Sequence, residues 1–349
     1  MKKILFTGGG SAGHVIPNLA LIEELLSEGK TEVFYMGTSG IEKGLVTEWN
    51  IPFYEIECPK LIRGKSWKAI KQNLRIPAEL HRAKKQALEG LLQCKPDIVF
   101  SKGGYVALPV VWAASKLRIP CFSHESDYSV GLANRLLARK CRFVFTSFPE
   151  TAKHILHGKY SGAPIRRSIF TTTRAEARKH LSIPFNAKVI LIFGGGSGSK
   201  AINDAVRSHL KALTEKYYIL HLCGKRNLVD CTLNNYRQME FITDMGMAYA
   251  CADLVISRAG AGTIFELLAL KKPSLLIPLE GQSRGDQVEN AAYFLSKGLC
   301  HMLPQNHLHS LPQAIEEAFL DEGMRRNLQE SPFQSGNERI LTELKKALQ

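Results

Sequence analysis

Residues 4–13 read Ile-Leu-Phe-Thr-Gly-Gly-Gly-Ser-Ala-Gly, and residues 190–199 read Ile-Leu-Ile-Phe-Gly-Gly-Gly-Ser-Gly-Ser. In both stretches a short apolar run ends in a glycine-rich loop, and a segment of helical periodicity follows. This order of strand, loop and helix opens nucleotide-binding α/β domains. Because the same opening occurs twice, we predict an internal structural repeat and two Rossmann-like domains.

Short apolar runs rich in β-formers alternate with helical segments along the chain, which is typical of α/β domains with parallel sheets. The tail at 337–348 has apolar residues at helical spacing and could pack on either domain. The stretch 158–167 lacks periodicity and is predicted to link the domains. The predicted strands are 3–7, 32–36, 52–56, 97–101, 120–124, 142–146, 188–193, 218–222, 239–242, 254–257 and 273–278, and the predicted helices include 201–216 and 287–297.

Length and composition exclude several classes of protein. A chain of 349 residues suits two domains, and 45% hydrophobic with 22% charged residues is ordinary for a globular protein. No apolar run approaches the roughly 20 residues of a membrane-spanning helix. The apolar start ends too early for a secretory signal, so we expect a cytoplasmic chain. The eight cysteines form no C-x-x-C pair, which argues against a disulfide scaffold or a zinc site.

The net charge is unusual, because 46 Lys and Arg residues against 32 Asp and Glu residues give +14. This balance favours nucleic acid, anionic lipid or phosphorylated ligands. Residues 60–85 hold nine basic residues and one acid, Glu79, among apolar side chains. A basic amphipathic surface of this kind suits anionic membrane headgroups. The alternatives are nucleic acid, for which the sequence shows no binding motif, and a solvated helix face.

The glycine-rich loops are candidate phosphate or sugar sites, because glycines let the backbone approach a ligand and helix N-termini attract anions. Packing alone is the alternative for each loop. The second strand ends in Met36-Gly37 rather than an acid, and no Walker lysine occurs, which argues against nicotinamide chemistry and P-loop hydrolysis. No D-x-D pair occurs, so the usual carboxylate ligands of a metal-bound nucleotide diphosphate are missing. We expect no cofactor. Arg166 would then meet phosphate charge, unless it is an ordinary exposed arginine.

Two titratable residues are predicted near helix N-termini. His14 follows the first loop, where the helix N-terminus favours a neutral imidazole that can act as a general base. A local hydrogen bond is the alternative for His14. Residues 257–266 read Ser-Arg-Ala-Gly-Ala-Gly-Thr-Ile-Phe-Glu, a strand end and small-residue turn whose amides could bind phosphate. Glu266 would accept hydrogen bonds from ribose hydroxyls, or would serve only the helix dipole.

Several short motifs together identify a family. They are Gly8-Gly9-Gly10-Ser11-Ala12-Gly13-His14-Val15, Lys102-Gly103-Gly104-Tyr105-Val106, His124-Glu125-Ser126-Asp127, Gly162-Ala163-Pro164-Ile165-Arg166, Arg258-Ala259-Gly260-Ala261, and Asp286-Gln287 before Asn290-Ala291. In this order they resemble the MurG family of bacterial N-acetylglucosaminyltransferases, part of glycosyltransferase family 28, over essentially the whole chain. The resemblance implies the GT-B fold, an α/β fold of two Rossmann-like domains whose parallel sheets face each other across a cleft. It implies an N-terminal domain at 1–160, completed by helix 336–349, and a C-terminal domain at 161–335.

The resemblance also implies an activity. It is the inverting transfer of N-acetylglucosamine from UDP-N-acetylglucosamine (UDP-GlcNAc) to the C4 hydroxyl of the muramoyl sugar of lipid I, which gives lipid II without an essential metal. The implied partners are UDP-GlcNAc, lipid I, the anionic inner leaflet of the cytoplasmic membrane and other cell-wall synthesis proteins, but no nucleic acid. The protein would then lie peripherally on the cytoplasmic face of the cell membrane.

Site residues are carried over by motif. His14 is the implied catalytic base, with its loop facing the acceptor. Ile242 would contact uracil through its main chain, Glu266 the ribose, and Arg166 with the loop from Gly194 the diphosphate. Asp127, Gln287 and the backbone around Ala261 would contact the sugar. The implied donor-binding residues are Ser11, Ala12, Gly13, Asp127, Arg166, Gly196, Ser197, Ile242, Gly260, Ala261, Gly262, Thr263, Glu266 and Gln287. The implied acceptor and membrane contacts are Tyr105, Arg63, Lys65, Trp67, Lys68 and Lys71.

Three positions depart from the commonest family pattern. Asp127 ends the motif that usually reads His-Glu-Gln-Asn, Gly196 replaces a serine with Ser197 next to it, and Asp286 replaces the first of two glutamines. This form resembles MurG of Firmicutes, so we interpret it as an active lineage variant. A carboxylate accepts hydrogen bonds but cannot donate them as an amide does. The alternatives are a transferase acting on another lipid acceptor, a UDP-GlcNAc epimerase, a nucleotide-sugar sensor without turnover and a nucleic-acid binder.

Overall fold

The computed structural model describes residues 1–60, 67, 71, 73–281 and 285–349. The chain forms two compact units, Met1–Arg166 with Ser335–Gln349, and Arg167–Gln334. Each unit contains one parallel sheet flanked by helices. Within the described ranges, no helix combines the length and the apolar character needed to cross a membrane.

The first unit is built on a sheet of order β3-β2-β1-β4-β5-β6-β7, and all neighbouring strands in it are parallel. Its strands are β1 (Lys2–Thr7), β2 (Thr31–Gly37), β3 (Phe53–Glu55), β4 (Ile98–Ser101), β5 (Cys121–Glu125), β6 (Phe143–Thr146) and β7 (Gly158–Tyr160). The sheet of the second unit has the order β10-β9-β8-β11-β12-β13 and is also parallel. Its strands are β8 (Val189–Phe193), β9 (Tyr218–Leu222), β10 (Tyr236–Met239), β11 (Leu254–Ser257), β12 (Ser274–Leu276) and β13 (His301–Met302).

Helices connect most of these strands, as parallel pairing requires. In chain order they are α1 (Ala12–Glu28), α2 (Ile41–Thr47), α3 (Ile76–Cys94), α4 (Ala107–Lys116), α5 (Leu132–Leu137), α6 (Pro149–Lys153), α7 (Arg174–His180), α8 (Lys200–Ser208), α9 (Leu210–Lys216), α10 (Met245–Cys251), α11 (Ala261–Ala269), α12 (Asp286–Leu295), α13 (Leu311–Leu320), α14 (Glu322–Glu330) and α15 (Asn337–Leu348). Short 3₁₀ turns cover Ala138–Lys140, Arg167–Phe170 and Gln305–Ser310.

Successive side chains of β1 point to opposite faces of the first sheet. Ile4 and Phe6 pack in one buried cluster with apolar residues of α1 and α15. Leu5 packs in another cluster with apolar residues of α3 and α4. Because both faces are covered, this strand is a continuous apolar run rather than an alternating pattern.

The first unit ends later than the predicted boundary at residue 160. The amides of Ser161 and Gly162 donate hydrogen bonds to the Thr146 carbonyl at 3.1 and 3.2 Å. The side chain of Asn337 accepts from the Ile165 amide and donates to the Ile165 carbonyl, both at 2.9 Å. These bonds attach residues 161–165 to β6 and to the start of α15, so the boundary follows Arg166. The stretch 158–167, predicted as a linker, therefore belongs mostly to the first unit.

Most predicted strands lie within two residues of the observed ones, but the strand predicted at 239–242 lies at Tyr236–Met239. Its register pairs Tyr236 with Ile219, and the Tyr236 ring fills a core position, which fixes the strand further towards the N-terminus. The helix predicted at 201–216 is two helices, because the backbone at His209 (φ −109°, ψ 6°) is not helical. Two further short strands, β7 and β13, were not predicted.

Candidate active site

Each sheet reverses its strand order at one point, between β1 and β4 in the first unit and between β8 and β11 in the second. Parallel α/β sheets bind ligands at the carboxyl ends of the strands beside such a point. The motifs follow these four strands: residues 8–13 follow β1, residues 102–105 follow β4, residues 194–198 follow β8 and residues 258–260 follow β11. The topology therefore gives each unit one pair of motifs at the place where ligands bind.

The first glycine loop, residues 8–13, is held by a buried carboxylate that the sequence analysis did not single out. Oε2 of Glu42 accepts a hydrogen bond from the Gly10 amide at 3.1 Å, and Oε1 accepts from the amide of Thr38 at 3.0 Å and from its hydroxyl. A Cβ atom on Gly9 would lie 2.3 Å from Glu42 Oε1, so a side chain there would displace this carboxylate from its hydrogen bonds. Glu42 thus fixes the shape of a loop whose amides can face an anion.

His14, the predicted base, lies in the first turn of α1 and is partly exposed. Its Nδ1 atom is 2.9 Å from Ser11 Oγ, and its amide donates to the Ser11 carbonyl at 3.1 Å. When Nδ1 carries the hydrogen, the Nε2 lone pair is the basic site of the ring. Of the other predicted residues of this loop, Ser11 is the N-cap, and Ala12 and Gly13 open the helix.

Tyr105 lies beside the same loop. A Cβ on Gly10 (φ +81°) would come within 2.5 Å of the Tyr105 ring, and a Cβ on Gly104 (φ +78°) would lie 3.0 Å from the Gly9 carbonyl and 3.4 Å from the His14 ring. The motif after β4 therefore packs directly on the motif after β1. The structure brings together Tyr105 and His14, which sequence reasoning had assigned separately to the acceptor.

Asp127 follows β5 in a loop that Glu125 organises. The Glu125 carboxylate accepts hydrogen bonds from the amides of Asp127 (3.1 Å) and Gly131 (2.8 Å) and from the Asn134 side chain (3.0 Å). His124 is fully buried and its Nε2 is 3.1 Å from the Gly162 carbonyl. Burial and the nearby Lys102 ammonium hold the pKa of His124 well below its usual range, so this ring stays neutral.

In the second unit a cavity of about 710 Å³ opens at the carboxyl ends of β8 and β11. Arg258 crosses one side of it, and its guanidinium donates to Ser199 Oγ (2.8 Å), Gln305 Oε1 (2.5 Å) and two main-chain carbonyls after β12. The sequence places Arg258 in a motif without indicating a role for it. Here it ties the glycine loop after β8 to the segments after β11, β12 and β13. The lining residues are Phe193, Gly194, Gly195, Gly198, Ser199, Lys200, Ala201, Asp204, Arg258, Gly260, Thr263, Leu279, Glu280, Gln287 and Gln305.

Three predicted donor residues, Gly260, Thr263 and Gln287, line this cavity. Gly196 and Ser197 lie on the exposed loop after β8, beside the lining glycines. Gln287 Oε1 accepts a hydrogen bond from the Leu279 amide at 2.9 Å, which joins the start of α12 to the segment after β12.

The described residues that line this cavity do not include the predicted donor residues Ala261, Gly262, Glu266, Ile242 and Arg166. Ala261 and Gly262 begin α11, and Glu266 lies one turn later. Ile242 is buried and follows the end of β10, and Arg166 is the last residue of the first unit. Among the described residues, no three His, Cys, Asp or Glu side chains form a group that could hold a metal ion.

The predicted membrane surface is only partly described. Arg63, Lys65 and Lys68 lie outside the described residues. The side chain of Trp67 is 86% exposed and Lys71 is also exposed. Leu74 is 75% exposed shortly before α3 begins. The described part of this segment thus presents aromatic, aliphatic and basic side chains to solvent.

Comparison with known proteins identifies the family. Residues 4–146 match the glycosyltransferase family 28 N-terminal domain, and residues 189–343 match the glycosyltransferase family 28 C-terminal domain. A protein from Clostridium perfringens is 45% identical over 88% of this chain and 87% of its own length. The chain belongs to glycosyltransferase family 28. A relative from Lachnospira eligens is 41% identical over 99% of both chains, and one from Shouchella clausii is 43% identical over 91% of both.

All three relatives are named UDP-N-acetylglucosamine--N-acetylmuramyl-(pentapeptide) pyrophosphoryl-undecaprenol N-acetylglucosamine transferase. The resemblance to the MurG family and the prediction of a hexosyltransferase are confirmed. The crystal structure of Acinetobacter baumannii MurG is similar to this chain, with a TM-score of 0.77 and 27% identity over 99% of this chain and 100% of that one. This similarity agrees with membership of family 28. A Neisseria meningitidis UDP-GlcNAc 2-epimerase bound to UDP-GlcNAc shares the fold at 15% identity, covering 99% of this chain and 100% of that one (TM-score 0.67). The predicted GT-B class, with two parallel sheets each flanked by helices, is confirmed.

Proposed function

We propose that this family 28 enzyme transfers N-acetylglucosamine from UDP-GlcNAc to the C4 hydroxyl of the muramoyl sugar of lipid I, forming lipid II for peptidoglycan synthesis. The observation that carries the proposal is the set of relatives with this named activity, which are 41–45% identical over 87–99% of their own length. The positions of the motifs add support. They follow the carboxyl ends of the strands beside the point where each sheet reverses its strand order, and parallel α/β sheets bind ligands there.

In the proposed mechanism the acceptor hydroxyl attacks the anomeric carbon from one face while UDP leaves from the other, through an oxocarbenium-like transition state, and the configuration inverts. His14 takes the hydroxyl proton on Nε2, in the tautomer in which Nδ1 donates its hydrogen to Ser11 Oγ. Phosphate charge is met by Arg166 and by backbone amides of the loop from Gly194, without an essential metal ion.

Donor recognition in this proposal centres on the second unit. Glu266 accepts hydrogen bonds from the ribose hydroxyls, and the main chain at Ile242 contacts uracil. Gly260, Ala261, Gly262, Thr263 and Gln287 surround the rest of the nucleotide sugar together with Gly196 and Ser197. The cavity that Gly260, Thr263 and Gln287 line supports this assignment, since its volume of about 710 Å³ lies in the range of small-molecule sites.

We further propose that the enzyme works peripherally at the cytoplasmic face of the cell membrane. The acceptor is a lipid, and the exposed Trp67, Lys71 and Leu74 support contact with an anionic leaflet. Arg63, Lys65 and Lys68 complete the proposed surface by sequence. Roles in cell shape and cell division, and contacts with other cell-wall synthesis proteins, follow from the proposed product.

A radiolabelled transfer assay tests the proposed reaction. Purified enzyme receives UDP-GlcNAc and a short-chain lipid I analogue, with a control lacking acceptor and parallel reactions with other UDP-sugars. We expect label in the lipid product only when acceptor is present. Transfer to diacylglycerol but not to the lipid I analogue would instead identify a transferase with another lipid acceptor. Binding of UDP-GlcNAc without transfer to any acceptor would indicate a nucleotide-sugar sensor.

A further inference from the structure

A buried cation lies beside the loop that carries Asp127. Lys102 directly follows β4 and is only 2% exposed. Its Nζ donates a hydrogen bond to Ser126 Oγ at 2.5 Å, and within the described ranges the structure gives Nζ no other hydrogen-bond partner. Burying a lysine ammonium costs free energy unless the charge is paired and hydrogen-bonded. The proposed mechanism assigns no role to Lys102.

The chemistry of the ammonium group decides what Ser126 can do. A protonated lysine donates hydrogen bonds and accepts none, so the Ser126 oxygen must be the acceptor in this pair. The hydroxyl hydrogen of Ser126 then points away from Lys102. Ser126 is half-buried, and Lys102 Nζ is its one hydrogen-bond partner among the described residues. Lys102 therefore orients Ser126 as a donor towards the space beside the loop.

The neighbouring carboxylate makes such a donor useful. Asp127 occupies a position where an amide is common in this family, and a carboxylate can only accept hydrogen bonds. The Glu125 carboxylate accepts a hydrogen bond from the Asp127 amide, which holds the loop that carries Ser126 and Asp127 in place. Together the Ser126 hydroxyl and the Asp127 carboxylate offer the donor and the acceptor that one amide side chain would combine.

We propose that Lys102 is a positioning residue that sets the Ser126 hydroxyl as a hydrogen-bond donor to the sugar of the nucleotide-sugar substrate, and that Ser126 is a specificity-determining residue of this enzyme. This inference rests on the proposed function and on the role in binding that sugar which the family resemblance implies for Asp127. Burial lowers the pKa of Lys102 to about 8, and Glu125 and Asp127 act in the opposite direction, so at pH 7 most of the Lys102 side chains are still ammonium groups that donate the hydrogen bond.

Calorimetric titration with UDP-GlcNAc and with UDP separates the sugar contribution to affinity from that of the nucleotide. We expect Ser126→Ala to weaken UDP-GlcNAc binding about tenfold while UDP affinity stays within about twofold, because one hydrogen bond to the sugar is lost. Ser126→Thr keeps the hydroxyl and should retain wild-type affinity for both ligands. Lys102→Met should weaken UDP-GlcNAc binding about threefold, since the hydroxyl remains but is no longer oriented.

A double variant tests whether the two residues act together. Because Lys102 acts only through Ser126, Lys102→Met combined with Ser126→Ala should bind UDP-GlcNAc no more weakly than Ser126→Ala alone. The proposal is overturned if the losses of UDP-GlcNAc affinity in the two single variants multiply in the double variant. It is also overturned if Ser126→Ala weakens the binding of UDP and of UDP-GlcNAc equally, so that the ratio of the two affinities is unchanged. If Lys102→Met does not fold, the comparison of Ser126→Ala with Ser126→Thr still decides whether the Ser126 hydroxyl binds the sugar. The wild-type transfer assay runs alongside, so that failure of the proposed function is recognised separately by the absence of wild-type transfer.

Discussion

The hydroxyl of Tyr249 in α10 donates a hydrogen bond of 2.9 Å to Oε2 of Glu266 in α11. Tyr249 is almost completely buried, so its ring is fixed, and its hydroxyl in turn limits the orientations of the Glu266 carboxylate. A carboxylate has several acceptor sites, so the bond from Tyr249 leaves capacity for ribose hydroxyls. Tyr249 is thereby a positioning residue for the group that we assign to the ribose.

Tyr249→Phe should weaken UDP binding about fivefold, because Glu266 loses the bond that orients it while the core keeps its ring. We expect a much smaller effect on 2′-deoxy-UDP, which offers the carboxylate one hydroxyl fewer. Calorimetry with both nucleotides measures the difference. Tyr217→Phe, at the amino end of β9, is the matched control and should change neither affinity. Equal losses for both nucleotides would exclude a contact between Glu266 and the 2′-hydroxyl of the ribose.

His14→Ala should lower turnover in the transfer assay by about 100-fold, with little change in UDP-GlcNAc binding, because a general base contributes mainly in the transition state. The exposed His180 provides a control substitution, His180→Ala, which should leave turnover unchanged. Near-normal turnover of His14→Ala would remove this residue from the role. Ser11→Ala should have a smaller effect, since it removes only the partner of Nδ1.

Alanine substitutions at two glycines, one in each glycine-rich loop, are expected to differ in their effect on stability. Gly9→Ala would bring a methyl group to 2.3 Å from Glu42 Oε1, so we expect a loss of stability of roughly 2 kcal/mol or more in denaturant titration. Apart from its chain neighbours, no atom of the described residues lies within 4 Å of a Cβ on Gly196, so Gly196→Ala should leave stability unchanged. If a phosphate approaches the backbone at Gly196, the same variant nevertheless weakens UDP binding. Unchanged UDP affinity in a stable Gly196→Ala protein would contradict that approach.

Charge reversal tests the proposed membrane surface. Replacing Lys65, Lys68 and Lys71 by Glu should weaken binding to anionic vesicles at low salt, because each cation adds about 1 kcal/mol near such a surface. Co-sedimentation with vesicles measures this, and added salt should reduce wild-type binding as well. The exposed lysines 179, 211 and 225 of the second unit, changed to Glu together, match the alteration in net charge. Similar losses in the two triple variants would mean that net charge, not this surface, controls binding.

The buried Lys102 predicts a pH-dependent stability. Burial lowers the pKa of Lys102 to about 8 in the folded protein, although Glu125 and Asp127 favour its charged form. Folding then disfavours the ammonium, and this cost is complete below pH 8 and disappears as the pH rises towards the usual lysine pKa. Lys102→Met should therefore raise the free energy of unfolding at pH 7 by up to roughly 3 kcal/mol.

Denaturant titrations at pH 7 and pH 10 measure this effect, and the advantage of Lys102→Met should shrink at the higher pH. Substitution of an exposed lysine, Lys225→Met, should show no such change between the two pH values. A destabilised Lys102→Met protein at pH 7 would mean that the ammonium contributes more to folding than its burial costs.

The core strands were predictable because both faces of each sheet are buried, which leaves continuous apolar runs such as residues 4–6 and 189–193. The short strands β7 and β13 escaped prediction for the opposite reason. β7 reads Gly-Lys-Tyr and β13 reads His-Met, all half-buried, so neither leaves an apolar pattern. Their positions depend on pairing with β6 and β12 at sheet edges, which is tertiary information.

The site was predictable where a motif is local and not where residues distant in sequence meet. The glycine loops and the segment 257–266 are contiguous, and their strand-loop-helix context carried the prediction. Glu42 is an isolated acid in a short helix, and only its bond to Gly10 shows what it does. Tyr249 and Lys102 likewise look like ordinary core or surface residues until Glu266 and Ser126 are seen beside them.

The C-terminal helix gives the chain an order of assembly on the ribosome. Ile340, Leu341 and Leu344 of α15 lie in the same buried cluster as Ile4 and Phe6 of β1. During synthesis the first sheet therefore emerges well before the helix that covers part of one of its faces. The second unit, residues 167–334, is a continuous segment that leaves the ribosome in between. We therefore expect the nascent first unit to expose apolar surface to chaperones until α15 has emerged and covers that face of the sheet.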